Sequence, residues 1–186
     1  MFKKIKLLAA VAFAMAASQI ASAEDFQLSA GGEYIFDSND TEFAFTGITA
    51  RGAYYFSEHF GVEAEGTVGT SGADNYADSG LNFELKNQYG AYVVGRTPLG
   101  TNGELFGRVG LRAGTIDITG NFFGPVSQSV DYNGFSVGGG YTYFFNKSMG
   151  LRGEVTTSGA SLDNNFSPDG NLTSLSLSLV VKLGDK

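Results

Sequence analysis

The sequence predicts an all-β chain: eight antiparallel strands closed in up-and-down order into a barrel. Three observations carry that expectation. After residue 25, apolar residues recur at every second position in eight stretches, and none of these has a 3.6-residue period. Short polar turns alternate with longer polar segments between the stretches, as hairpins require. The intervening positions hold glycine, serine and threonine with scattered arginine and glutamate, which suits a narrow interior better than a water-facing sheet.

The chain opens with MFKKIKLLAAVAFAMAASQIASA, where Lys3, Lys4 and Lys6 precede an apolar run that closes on Ala21-Ser22-Ala23. This is the pattern of a secretory signal peptide, residues 1–23. The run from Leu7 to Ala17 is shorter than the roughly 20 residues a spanning helix needs. Residues 24–186 then form one domain. They contain no cysteine, so packing and hydrogen bonds must supply stability in an exported, disulfide-permissive setting. The formal charge of −7 becomes more negative by three lysines on cleavage, which excludes nucleic acid as a partner.

The strands follow from the alternation. The first shares Phe26, Leu28, Ala30, Gly32, Tyr34 and Phe36 on one face, the second Ile48 to Phe56, the third Phe60 to Val68, and the fourth Tyr89 to Thr97. The fifth runs from Leu105 to Ala113, the sixth from Phe135 to Phe145, the seventh from Met149 to Thr157, and the eighth from Leu175 to Leu183. No residue of this apolar phase is charged. The opposite phase carries Glu33, Arg51, Glu63, Glu65, Arg96, Arg108, Arg112, Arg152, Glu154 and Lys182. A soluble barrel that binds an apolar ligand would point the apolar phase inward, whereas a transmembrane barrel points it at lipid and keeps the charges in the lumen. Small residues among the charges favour the second arrangement, as do Tyr54, Phe56, Phe60, Tyr141, Tyr143 and Phe145, placed where an interfacial girdle would lie.

One segment is written twice, as YYFSEHFGVEAE at 54–65 and YFFNKSMGLRGE at 143–154. Each copy reads as a strand end, a tight turn (Ser57-Glu58-His59 or Asn146-Lys147-Ser148) and a strand start, with Gly61 and Gly150 as sites for a kink or bulge. Pro98 to Gly103 is the third short connection. The longer ones are residues 37–42, 71–84, 117–131 and 159–171. Three short turns and four long loops place both mature termini on the short-turn side, the periplasm in an outer-membrane barrel.

The turn YYFSEHFGVEAE, the pair YGAYVVGRTPLG and ELFGRVGLRAG, and the strand FSVGGGYTYFF together resemble the small outer-membrane barrels of Gram-negative bacteria, the porin-family domain that includes OmpA-like and OmpX-like proteins. The resemblance spans the mature chain. It implies residence in the outer membrane among lipid and lipopolysaccharide, and insertion by the barrel-assembly machinery through a signal in the last strand, here at Val181 and Leu183. The chain stops shortly after Leu183, so the peptidoglycan-binding activity of OmpA-like proteins is not expected.

No enzyme is expected. The only histidine, His59, lies in a predicted turn on the wrong side for the lipid-modifying barrels, and its neighbours Glu58 and Ser57 do not complete a site. A single histidine without cysteine leaves no zinc set, and VGGGY at 137–141 is not followed by a helix as a phosphate loop would be. No cofactor is implied. The charged phase should pair inside the lumen as a filled core or a narrow gate. Asp37, Asp40, Glu42, Asp74, Asp78, Glu84, Asp117, Asp131, Asp163 and Asp169 fall in the long loops without one lysine or arginine. Asp37, Asp40 and Glu42 are the weak candidates for a divalent cation. Phe122 and Phe123 add an apolar pair to the third loop, and the same surface could serve an adhesin.

Overall fold

In the computed structural model each strand pairs antiparallel with its neighbours in sequence, and β1 with β8 closes the barrel. The strands are β1 (Phe26–Asp37), β2 (Ala44–Tyr55), β3 (Phe60–Ala73), β4 (Leu81–Leu99), β5 (Gly103–Asn121), β6 (Pro125–Phe144), β7 (Met149–Leu162) and β8 (Gly170–Leu183). The structure describes residues 25–38, 43–74, 80–121, 125–162 and 170–183. The signal peptide, Asp40, Glu42, Asp78, Phe122, Phe123, Asp163 and Asp169 lie outside the described residues.

The two phases face as the transmembrane arrangement requires. Leu28, Ile48, Val62, Leu111, Phe135 and Leu177 are exposed on the outside, while Glu33, Arg51, Glu65 and Arg112 are buried inside. This removes the soluble alternative, in which the apolar phase would line the interior. Phe56 and Phe60 beside the β2–β3 turn, and Tyr141, Tyr143 and Phe145 beside the β6–β7 turn, are exposed at the short-turn end.

The predicted strand starts and ends at the short-turn side agree with the structure to within two residues, but the strands run further at the other end. Of the segment 117–131, read as a long loop, residues 117–121 continue β5 and residues 125–131 begin β6. The β5–β6 register is unbroken from Gly103↔Tyr143 to Asn121↔Pro125. The fourth strand begins at Leu81 rather than Tyr89. A register shift between Leu85 and Asn87 explains the shortfall: below it Gln88 points inward, above it Leu85 does, so a single period-two pattern cannot cover both halves. Further shifts fall at Thr46/Gly47 and at Val68/Gly72. Glu84, Asp117 and Asp131, assigned to loops from sequence, therefore stand on strands.

The repeated segment repeats a packing unit and contains no bulge. Gly61 pairs with Tyr55, and Gly150 with Phe144. In each case the inward aromatic ring of the triplet lies over the glycine: a Cβ would sit 2.8 Å from Tyr55 Cδ1 at Gly61 and 2.9 Å from Phe144 Cδ1 at Gly150. The turns differ in how they are tied. Ser57 Oγ accepts from the Phe60 amide at 3.0 Å, whereas Asn146 Oδ1 accepts from the amides of Ser148 and Met149 at 2.9 and 2.8 Å. The third turn, between β4 and β5, uses Gly100 at φ 71°, a conformation other residues adopt only at a cost.

Gly61→Ala is expected to destabilise the barrel by about 1–3 kcal/mol through overpacking against Tyr55 and the Tyr54 carbonyl. Urea-dependent unfolding in lipid vesicles measures this. A change below about 0.5 kcal/mol would show that the ring moves aside freely.

Candidate functional site

The lumen is filled in layers. At the long-loop end, Ile35, Phe45, Leu85, Ile116, Tyr132 and Leu172 form an apolar layer, with Phe43, Phe83 and Ile118 packed against it. At the short-turn end Ala53, Tyr55, Tyr92, Val94 and Phe106 form a second. Neither layer was expected, because the inward phase was read as small and polar. Apart from Ile35, the branched and aromatic inward residues of the upper layer lie beyond the stretches in which the sequence shows alternation.

Between these layers the strands bring together eight of the ten charges predicted for the lumen. Glu65 is the hub. Its carboxylate meets Arg112 Nη2 at 2.8 Å, Arg108 Nη1 at 2.7 Å and Arg51 Nε at 3.1 Å. Arg112 Nη2 also reaches Glu33 at 3.0 Å, towards the loop end. In the other direction Arg108 Nη1 reaches Glu63 at 2.6 Å and also pairs with Glu154. Arg152 closes the set on Glu63 at 2.6 Å and Glu154 at 2.7 Å. These side chains are almost wholly shielded, and Arg51, Arg108, Arg112 and Arg152 balance Glu33, Glu63, Glu65 and Glu154 one for one. Neutrality is what such burial demands, since an unpaired charge removed from water costs several kcal/mol.

Hydroxyl groups add to the shell, while Arg51 Nη1 and Arg108 Nε have no hydrogen-bond partner among the described residues. Thr49 and Thr67 donate to Glu33 at 2.6 and 3.1 Å, and Tyr92 Oη donates to Glu65 at 2.8 Å. Arg51 and Arg112 donate to Ser176 and Ser174, both at 3.2 Å. Short β8 serines let the long guanidinium groups cross the lumen.

The remaining two predicted charges, Arg96 and Lys182, lie apart from this core at the short-turn mouth. Arg96 pairs with Asp25 and, at 3.4 Å, with Glu104; Lys182 approaches Glu104 at 3.9 Å. Glu104 and Asp25 were missed. Extending the fifth strand by one residue would have placed Glu104 in phase with Arg108 and Arg112.

Four cations also rest on rings. Arg96 lies 3.6 Å from the Tyr55 ring centre, Arg108 4.0 Å from Tyr92, Arg152 3.8 Å from Phe106 and Lys182 4.0 Å from Phe144. Beneath each ring is a glycine position: Gly61, Gly90, Gly140 and Gly150. The motif in the repeated segment thus continues through the lumen.

At the level of the upper layer the outward face changes character. On β4, β5 and β6 the outward residues are apolar from Val93, Val109 and Val137 up to Tyr89, Ala113 and Phe135; above these come Lys86, Glu84, Thr115, Asp117, Asp131 and Ser129. Lys86 Nζ meets Asp117 at 3.0 Å, so the acidic rim has a base in reach that loop composition alone did not show. The hydroxyl of Ser129 and then Lys86 hold the Asp117 carboxyl below its ordinary value of 3.8. Asp131 accepts from Thr115 at 2.7 Å. Among the described residues no three His, Cys, Asp or Glu side chains gather as a metal group. His59 is exposed in its turn, and Ser57 is engaged by the Phe60 amide. Val181 and Leu183 lie on the outward face of β8, opposite Leu28 and Phe26 of β1.

A closed eight-strand barrel with apolar exterior and ionic lumen is the architecture of a membrane barrel. The model of the outer membrane protein beta-barrel domain matches residues 7–182. The chain belongs to that family. This outer-membrane barrel is similar in fold to Ail, the attachment invasion locus protein of Yersinia pestis, solved with the heparin analogue sucrose octasulfate (TM-score 0.61, 14% identity, 86% of this chain and 99% of that one). It is also similar to Neisserial surface protein A (TM-score 0.59, 14% identity, 84% and 95%) and to OprG of Pseudomonas aeruginosa (TM-score 0.59, 12% identity, 88% and 97%). No curated protein sequence matches it significantly.

Glu65→Gln is expected to cost about 3–5 kcal/mol, because three arginines lose a shared counter-charge inside the lumen. Its unfolding free energy in lipid vesicles tests this; a loss below about 1 kcal/mol would mean that water reaches the core. On the lipid face, Val109→Arg is expected to cost ~2–4 kcal/mol by the same measurement.

Proposed function

We propose that this outer-membrane barrel is a non-enzymatic envelope protein whose lumen is sealed by side chains and whose working surface is the polar sheet and acidic loops at one end. The observation that carries the reading is the neutral Arg/Glu core, held between two apolar layers and leaving no charge free to draw ions through. Eight strands give an interior that side chains can fill, and here they do so at three levels. The reading includes a signal peptide at residues 1–23, a mature domain at 24–186, termini on the periplasmic side, and assembly through the last strand at Val181 and Leu183. Lipopolysaccharide phosphates and divalent cations are the proposed neighbours of the acidic rim.

An attachment role of the kind named for Ail is not transferred with its ligand chemistry. Sucrose octasulfate is a polyanion, whereas the described rim of this chain holds Asp37, Asp74, Glu84, Asp117 and Asp131 against Lys86. Two surfaces of opposite charge preference can share one scaffold.

Planar-bilayer recording on the purified barrel tests the seal. No steady conductance is expected for the native chain, and Arg108→Ala combined with Glu63→Ala should produce discrete openings by removing both halves of one central pair. Frequent large openings of the native chain would overturn the reading.

A further inference from the structure

On the lipid-facing side, two glycines are roofed by the rings of their cross-strand partners. A Cβ at Gly66 would lie 3.8 Å from Tyr89, and one at Gly95 would lie 3.7 Å from Phe60. Gly32 of β1 has no such roof. Its partners Ile48 and Leu177 are both exposed, yet no atom of either comes within 4 Å of the Cβ position. Tyr34, the next outward residue, sets its ring beside that of Phe36, 5.7 Å between centroids. What remains is a notch of about 420 Å³ whose lining includes Gly32, Tyr34, Thr46, Leu175 and Leu177. Towards the short-turn end the surface stays low over Ala30 and Ala50, which pair with each other and are exposed. From Tyr34 to Ala30 this trough is roughly 13 Å long.

The loop end of the notch is polar, and an irregularity builds it. Between Gly47↔Gly69 and Thr46↔Ser71 the β2–β3 register shifts, which leaves Thr70 as an extra residue on β3. Thr46 Oγ1 consequently meets both Thr70 Oγ1 at 2.9 Å and Ser71 Oγ at 2.6 Å. Among the described residues these three hydroxyl groups share two hydrogen bonds, which occupy two of their three protons and leave one to donate outward. On β8 the next residue of the outward phase beyond Leu175 is Thr173, whose hydroxyl meets Ser38 Oγ at 2.7 Å. Hydroxyl groups thus close the apolar surface on both sides of the notch.

We propose that the notch over Gly32 binds one acyl chain of lipopolysaccharide, whose linking carbonyl accepts a hydrogen bond from the Thr46, Thr70 and Ser71 hydroxyls. An unbranched chain with a polar group at one end matches an apolar trough with donors at one end. Lipid already lies against this face, so the notch has only to order one chain. Height and chemistry set the source. The hydroxyls stand at the loop end, which the orientation proposed above turns to the outer leaflet, and the assignment rests on that orientation. Lipopolysaccharide carries amide-linked 3-hydroxyacyl chains; an amide carbonyl is a stronger acceptor than a phospholipid ester, and the chain hydroxyl adds a second polar contact. A second barrel offers only side chains standing on a convex wall, which enter a notch flanked by exposed Ile48 and Leu177 less deeply than a free chain does.

The test uses the full-length folded barrel in detergent micelles with chelator present, titrated with lipid A and read by native mass spectrometry. One saturable lipid A per barrel is expected. Gly32→Leu fills the notch from a position with open space above it, so it should fold in phospholipid vesicles as the native chain does and bind lipid A at least tenfold more weakly. Gly107→Leu, at an exposed glycine on β5, should change the affinity by less than a factor of two. Thr46→Val with Thr70→Val and Ser71→Ala should weaken binding at least threefold, and phosphatidylethanolamine of matched chain length should compete at least fivefold less well. Equal losses from the two glycine variants, or none from either, would overturn the proposal. Equal competition by phosphatidylethanolamine would overturn the assignment to lipopolysaccharide, as would protection of Asn171→Cys from an impermeant thiol reagent in intact cells. Barrel dimers in place of a lipid adduct, lost in Gly32→Leu, would make a second copy the occupant and overturn the proposal as well. Binding in micelles depends on neither orientation nor conductance, so its failure counts against the notch alone, and openings in the bilayer recording count against the sealed lumen alone.

Discussion

The interior of this barrel is governed by the cost of burying arginine. Four guanidinium groups enter a lumen with almost no access to water, and each must find both charge and hydrogen-bond acceptors there. Four glutamates supply the charge, with Glu65 shared among three arginines. The geometry of the other lumenal residues follows from that hub. Tyr92 donates to Glu65 and also lies under Arg108; Gly90 and Gly110 leave room for its ring; β8 contributes serines rather than larger residues where Arg51 and Arg112 cross. Replacing any one member changes the requirements of several others, so the set acts as a unit rather than a sum of pairs.

The same constraint explains why one short sentence occurs twice in the sequence. A flat aromatic ring over a glycine gives a cation a platform on the lumenal wall. The triplet followed by a turn and a glycine is the shortest way to build it within one hairpin, as at Tyr55/Gly61 and Phe144/Gly150. Phe106 and Tyr92 make equivalent platforms with glycines on neighbouring or nearby positions, which produces no linear repeat. The structural unit is therefore more frequent than its sequence signature.

Legibility in the sequence tracked the environment. Inside the membrane band, lipid on one side and a polar lumen on the other impose opposite chemistry on alternate residues, and strands such as Phe26–Phe36 and Met149–Thr157 stand out at once. Above the band the rule reverses: Asp117 and Asp131 face outward while Ile116, Ile118 and Val130 face inward. Apolar-outward alternation therefore ends at Ala113 and Phe135, above which Thr115, Asn133, Asp117 and Asp131 hold the outward positions. At Leu85/Asn87 the shifted register adds a second break. The lumenal charges were recoverable because phase alone selects them, but their partition into a core and a mouth was not. Arg96 and Lys182 differ from the rest only in their height along the strands, and their partners Asp25 and Glu104 stand just outside the segments recognised.

Low identity to other barrels of the same fold has the same origin. Alternation, turn chemistry and a filled interior suffice to specify eight strands, and many side-chain sets meet those conditions; likeness at 12–14% identity is then a statement about architecture. Individuality must reside where the common constraints lapse. The lumen satisfies its own charges, and the membrane face asks only for apolar surface. The projecting β4–β6 sheet is under neither demand: its outward positions turn polar at Glu84, Asp117 and Ser129, and its inner face extends beyond the ionic core. Its polar and apolar choices are consequently the ones that neither the membrane nor the lumenal ion pairs dictate, and there this chain is freest to differ from other barrels of the fold.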